Sequence, residues 1–206
     1  MSNLDLFTSE KNNNPLKLAL PDAEITYYPS FFSSEEASEY FQILLDEIEW
    51  QQDDIKIFGK IYKQPRLTAL YGINDASYHY SGITMFPKPF NSVLKEIQTR
   101  IEESTEVKFT TVLLNYYRDG SDSNGWHSDD EKELGENPVI ASISLGAERT
   151  FRLRRKKDKT QKKNLTLQNG SLLIMSGETQ HHWQHCIPKS KKDIEPRINL
   201  TFRVIK

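Results

Sequence analysis

The 206-residue chain is 36% hydrophobic, 11% aromatic and 27% charged, with a formal net charge of −2 at pH 7. That balance suits one globular domain with a substantial core and excludes a chain drawn to nucleic acid or a membrane by overall positive charge. The single cysteine, Cys186, excludes an internal disulfide framework, and no apolar run approaches the roughly 18 residues of a membrane helix or a signal-peptide core, so a soluble intracellular protein is expected.

Residues 1–20 read as a flexible tail: "EKNNNP" has nothing to bury, although "LKLALP" can lie against the domain. Residues 21–206 read as a single domain. "EITYYPSFF" is expected to enter it as a strand. In "SSEEASEYFQILLDEIEW", Ser33 and Glu36 form a capping-box pattern, and Ala37, Tyr40, Phe41, Leu44, Leu45 and Ile48 fall on one helical stripe. "DIKIFGKIYK" alternates about Gly59 and predicts a hairpin. "FNSVLKEIQTRIEESTE" predicts a second helix, with Val93, Ile97 and Ile101 as its ridge. From residue 107 the period is mostly two: "FTTVLLNYY", "VIASISLG", "RTFRLRRK", "NLTLQ", "GSLLIMSG" and "RINLTFRVI" all read as strands. Many short strands behind two helices predict an α+β domain built on a sandwich or barrel such as a jelly roll.

Two stretches carry chemistry. In "NGWHSDDE", His127 and Asp129 lie two apart, so an extended backbone aims an imidazole and a carboxylate the same way. Three further histidines, His181, His182 and His185, cluster in "TQHHWQHCIP". Two histidines and a carboxylate on one face form the facial triad of non-haem iron oxygenases, whereas the same ligands with water would suit a zinc hydrolase. The other stretch is "PRINLTFRVIK", where Arg197, Asn199, Thr201 and Arg203 alternate with Ile198, Leu200, Phe202 and Val204. If that strand lines a barrel, its arginines face a cavity and need anions, which a dicarboxylate supplies. Asn115 and Tyr117 share one face of "VLLNYYRDG" and can complete the polar grip. The run 152–163, "RLRRKKDKTQKK", holds eight basic side chains and one acid, a local phosphate-binding patch or a solvated hairpin.

"VLLNYYRDGSDSNGWHSDDEKEL", "IASISLGAERTFRLRRK", "GSLLIMSGETQHHWQHCIP" and "EPRINLTFRVI" closely resemble the AlkB family of Fe(II)/2-oxoglutarate dioxygenases, nearest its animal-type DNA and RNA dealkylases. The resemblance implies a double-stranded β-helix (jelly-roll) core over about 107–206, with N-terminal helices and a nucleotide-recognition lid over about 54–90. It implies His127, Asp129 and His185 as iron ligands, with His181 and His182 as structural or lid residues. It implies Arg197 as partner of the remote carboxylate of 2-oxoglutarate, with Asn115, Tyr117, Thr201 and Arg203 completing that pocket. Asp130 resembles the family's base contact, and Glu131 follows it. Tyr78, Tyr80 and Ser81 match the lid that walls a flipped base. Phe58, Gly59 and Lys60 match a hairpin tip, with Phe58 as the wedge filling the gap in a duplex.

The function implied is Fe(II)-, 2-oxoglutarate- and O2-dependent oxidative demethylation of 1-methyladenine and 3-methylcytosine, giving formaldehyde, succinate and CO2. The expected partner is alkylated DNA, single- or double-stranded, and the expected state a monomer without membrane association. The compartment expected is cytoplasmic in a bacterium and nuclear or cytoplasmic in a eukaryote. The same chemistry on RNA or tRNA, a protein target and a non-catalytic nucleic-acid binding module are the alternatives.

Overall fold

The structure is a computed structural model that describes residues 14–57, 60–74, 78–80 and 83–205. The roles read above for Phe58, Gly59 and Ser81, and for the side chains of Tyr78 and Tyr80, lie outside the described residues.

Two short strands, β1 (Leu16–Lys17) and β2 (Glu24–Tyr28), lead into helix α1 (Ser34–Glu47). Five strands follow, β3 (Asp54–Ile57), β4 (Lys60–Lys63), β5 (Leu67–Gly72), β6 (Tyr78–Tyr80) and β7 (Ile83–Met85). Then come β8 (Lys88–Pro89) and helix α2 (Ser92–Thr105). The C-terminal half holds β9 (Thr111–Tyr117), β10 (Asn124–His127), β11 (Ile140–Gly146), β12 (Arg149–Arg155), β13 (Lys162–Leu167) and β14 (Ser171–Ser176). A four-residue helix, α3 (Thr179–His182), precedes β15 (Trp183–Ile187) and β16 (Arg197–Arg203).

The helices begin where the sequence says they should. The Ser33 hydroxyl accepts the Glu36 amide at 3.1 Å, and the Glu36 carboxylate accepts the Ser33 amide at 2.8 Å. That reciprocal cap satisfies two amides which no turn of α1 can reach. The Asn91 side chain caps α2 by accepting from the Leu94 amide at 3.0 Å.

The strands form a major sheet in the order β1-β2-β14-β11-β16-β9-β5-β8 and a minor sheet β10-β15-β12-β13, while β3-β4 and β6-β7 pair as separate hairpins. Two facing sheets give the expected jelly-roll layering. The segment "LKLALP" lies against the domain: Leu16 and Lys17 pair with Tyr27 and Thr26, and Leu18 and Leu20 pack on the inner core. Period-two alternation cannot reveal a two-residue strand, so the pairing of β1 itself carries no sequence signal.

Strand β16 decides where the site lies. It sits between β11 and β9, with Arg197 opposite Tyr117, Asn199 opposite both Asn115 and Ser144, and Thr201 opposite Ser142. Its apolar face (Ile198, Leu200, Phe202) is fully buried in a core shared with Ala37 and Leu44 of α1 and with Val93, Leu94, Ile97 and Ile101 of α2. Full burial of such side chains contributes about 1.5–3 kcal/mol each, which fixes the register and commits the polar face to the space between the sheets. None of the described helices is long and apolar enough to cross a membrane.

Candidate metal and carboxylate site

The polar face of β16 looks into a cavity lined also by Asn115 and Tyr117 of β9, Ser142 of β11, Phe151 of β12, and His127, Asp129 and His185. Ligand atoms of His127, Asp129 and His185 lie within 4.8 Å of one another, close enough to share one metal ion. The pairing of β10 with β15 brings them together, since His127 stands directly opposite His185. Their rings sit 4.2 Å apart at 63°, and Asp129 Oδ2 is 3.8 Å from His185 Nε2.

Each donor is oriented by a neighbour. His127 Nδ1 lies 2.8 Å from the Gly125 carbonyl oxygen, which can only accept, so Nδ1 carries the proton and Nε2 offers its lone pair. The Asp129 amide donates to Gln180 Oε1 at 3.0 Å, and the Ser128 hydroxyl donates to the Trp183 carbonyl at 2.9 Å, tying the turn to α3 and β15. The His185 ring stacks on Phe151, centroids 5.1 Å apart at 25°. Arg203 Nη2 donates to Asp129 Oδ1 at 2.7 Å, both side chains buried.

The electrostatics suit metal binding. Burial pushes the Asp129 carboxyl up, but the charges of Arg203, His185 and His127 outweigh it and hold the group at about 2. Burial, with His127 as a second cause, drives the His185 imidazole down to about 3, and burial lowers His127 also. The set thus presents one carboxylate and two neutral imidazoles at neutral pH, the protonation state a divalent cation requires.

At the other end of β16, Arg197 is 1% exposed, and its Nη2 donates to Ser144 Oγ at 2.9 Å. Its Nε and Nη1 have no hydrogen-bond partner among the described residues. The guanidinium lies 5.1 Å above the Tyr117 ring, and Arg149 covers the same ring at 5.5 Å. Two orphaned nitrogens on a buried cation mark a seat for an anion, and a carboxylate can supply the missing acceptors. Burial lowers this guanidinium to about 10, so it remains charged at neutral pH. The residues present therefore fit both a divalent metal and an acidic co-substrate.

Of the residues singled out in the sequence, His127, Asp129, His185, Asn115, Tyr117, Arg197, Thr201 and Arg203 all line the cavity. Arg203 grips the Asp129 carboxylate rather than standing free for a second anion. His181 and His182 stay outside, bonded to Asn137 and Glu178. Asp130 and Glu131 do not line the cavity, and Asp130 pairs with Lys156 at 2.9 Å. Lys60 is exposed on β4 opposite Ile57. Sequence reasoning missed Arg66, whose Nε donates to Asn115 Oδ1 at 2.6 Å, and placed Asn199 on the polar face without a role there; it donates to Ser142 Oγ and the Ile143 carbonyl at 2.8 Å. Asn199 was within reach, because it shares the polar period of β16; Arg66 had no local signal.

Residues 24–203 match the family model described as "2OG-Fe(II) oxygenase superfamily". The chain is 43% identical over 192 residues to the alpha-ketoglutarate-dependent dioxygenase alkB homolog 3 of Homo sapiens, covering 89% of this chain and 66% of that protein. It is 40% identical over 188 residues to the DNA oxidative demethylase ALKBH2 of Homo sapiens, covering 86% of this chain and 72% of that protein. The chain thus spans a little under two thirds of the length of the alkB homolog 3 relatives. The solved structure of OsALKBH1 overlays with a TM-score of 0.64 at 16% identity, covering 93% of this chain and all of that one, a likeness of fold.

Proposed function

The chain belongs to the AlkB family within the 2OG-Fe(II) oxygenase superfamily, and on that premise we propose that it is an Fe(II)- and 2-oxoglutarate-dependent dioxygenase that demethylates N-methylated nucleic-acid bases. One observation carries the proposal: a single buried cavity holds a His-Asp-His donor set at one end and a carboxylate-seeking arginine at the other. A binding module or a zinc hydrolase has no use for Arg197.

In this reading His127, Asp129 and His185 hold the ferrous ion, and Arg197 pairs with the remote carboxylate of 2-oxoglutarate. Ferrous iron with bound 2-oxoglutarate and O2 supplies the oxidising equivalent, succinate and CO2 being the co-products. The chain's own residues do the rest. Arg203 keeps Asp129 ionised and fixes its second oxygen. The Gly125 carbonyl holds the proton of His127 on Nδ1. Asn115 is held by Arg66 and, with Tyr117 and Thr201, lines the wall between the two ends, excluding water and setting how deep the co-substrate enters.

The proposed substrate is DNA bearing 1-methyladenine or 3-methylcytosine, single- or double-stranded, with RNA as the second substrate. The alkylated bases carry positive charge, which suits Asp130 and Glu131 just beyond the metal donors. Lys60, Phe58, Gly59, Tyr78, Tyr80 and Ser81 are assigned to the lid over 54–90 that receives the flipped base, and 107–206 to the catalytic core. The enzyme is taken to act as a monomer wherever its nucleic-acid substrate resides. Formaldehyde release from 3-methylcytosine oligonucleotides, with and without Fe(II) and 2-oxoglutarate, tests the proposal. Release should need both additions and should vanish in His127→Ala and Asp129→Ala; release that survives either substitution would remove the donor set from the mechanism.

A further inference from the structure

The minor sheet has an outer face that the proposed chemistry does not use. Arg152 stands opposite Asn164 and Cys186, and Arg154 opposite Lys162 and Gln184, so these residues share that face, while Leu153 opposite His185 points inward. At the sheet edge, β10 adds Trp126. The Arg154 guanidinium lies over the Trp126 ring at 4.2 Å and is itself held by Gln184 Oε1 at 3.0 Å. A groove on this face is lined by Trp126, Arg152, Leu153, Lys162 and Asn164.

No acid lines the groove, and among the described residues Arg152 and Lys162 have no carboxylate partner. That sets them apart within the basic run, where Arg155 pairs with Asp22, Lys156 with Asp130, and Asp158 caps the hairpin turn through Thr160 and Gln161. What remains is an indole steadied by a guanidinium, two uncommitted cations and an amide.

We propose that this groove is an accessory subsite for a single-stranded nucleic-acid segment, a base stacking on Trp126 while Arg152 and Lys162 take the adjoining phosphate. The proposal deepens the functional reading above and rests on it for the polynucleotide's other end. An unpaired base offers the face that an aromatic platform needs, whereas bases within a duplex are already stacked on their neighbours. The cations supply the electrostatic part of the affinity. An acidic peptide would use the cations but leave the indole without a role. The path is short: Trp126 and His127 are consecutive residues on an edge strand, one lining the outer groove and the other the cavity. A strand whose target base enters the cavity can thus pass its neighbouring nucleotides over the β10 edge.

The test measures binding of unmodified oligothymidylate to the whole chain by fluorescence anisotropy, using one oligonucleotide long enough to leave the cavity and a dinucleotide that is not. Trp126→Ala, Arg152→Glu and Lys162→Glu should each weaken the long oligonucleotide about tenfold, the scale of losing one stacked base or phosphate contact. The dinucleotide should be little affected. Arg152→Glu should also flatten the dependence of log affinity on log salt by about one contact. Trp126→Phe should retain most of the affinity, while the quenching of indole emission by the long oligonucleotide should be lost. Arg152 and Lys162 lie on other strands than His127, so their variants decide the matter if Trp126→Ala disturbs the metal end. Equal losses for both lengths, no loss for either, or displacement by oligoglutamate in place of DNA overturns the subsite. Because this assay requires no turnover, groove-dependent binding without formaldehyde release overturns the demethylase alone. Turnover without groove-dependent binding overturns the subsite alone.

Discussion

Arg197→Met separates a functional cation from a structural one. In the folded chain the residue is 1% exposed, and two of its guanidinium nitrogens are unsatisfied among the described residues. Burial lowers it from 12.5 to about 10, which means that folding pays on the order of 3 kcal/mol to keep this group charged. Methionine fills similar length without that charge and leaves only the Ser144 hydroxyl to find another partner. The variant on its own should therefore melt at or above the parent temperature. Binding should move the other way. Two charge-assisted hydrogen bonds contribute about 1.5–3 kcal/mol each, so 2-oxoglutarate affinity should fall by roughly a hundredfold or more. A thermal-shift titration with 2-oxoglutarate and Mn(II), a redox-silent stand-in for iron, reads both effects. At about a hundred times its dissociation constant the ligand adds about 2.7 kcal/mol to the parent chain. For a domain of this size that is a rise of roughly 5–11 °C, and it should be absent in the variant at the same concentration. A variant that melts several degrees lower alone, or that keeps the ligand-dependent rise, would show that Arg197 is a packing residue and that the anion binds elsewhere.

Three stability predictions concern the frame around the site. Ser33→Ala removes the side-chain half of the α1 cap and should cost about 1 kcal/mol, roughly 2–4 °C. The Glu36 carboxyl is held below its ordinary 4.5, first by the Ser33 amide and then by Arg100. Its contribution is present above pH 4.5 and fades as the pH falls through the folded-state value. The melting difference between the parent and Glu36→Gln should accordingly shrink below pH 4.5; a constant difference across that window would refute the assignment. Gly146→Ala should destabilise by about 1–3 kcal/mol, because Gly146 has φ +84° and a Cβ there would sit 2.6 Å from the Pro196 carbonyl oxygen. As Gly146 pairs with Arg197, the same substitution should weaken 2-oxoglutarate binding, read by the same titration, whereas unchanged affinity would mean that the start of β16 tolerates displacement.

What the sequence disclosed was whatever depends on near neighbours. The capping box of α1 lies within four residues. The alternation of β16 assigned Arg197, Thr201 and Arg203 to one face before any partner strand was known. His127 and Asp129 were visible because two residues of extended chain suffice to align them. What stayed hidden depends on pairings between distant segments. Arg66 meets Asn115 only because β5 lies alongside β9. Gln180 fixes the Asp129 amide across a separation of 51 residues. Asp130, read as a base contact, faces a lysine 26 residues further on that no local pattern could have matched to it. The order of the eight strands is likewise a property of crossovers, to which hydrophobic period is blind.

The placement of β16 has a bearing on how the protein is made. It is the last strand of the described chain, yet it lies in the middle of the major sheet, between β11 and β9. A chain halted before residue 197 has its two imidazoles and its carboxylate but neither guanidinium and no strand to join β11 to β9, so the major sheet and the cavity close together, on the arrival of one segment.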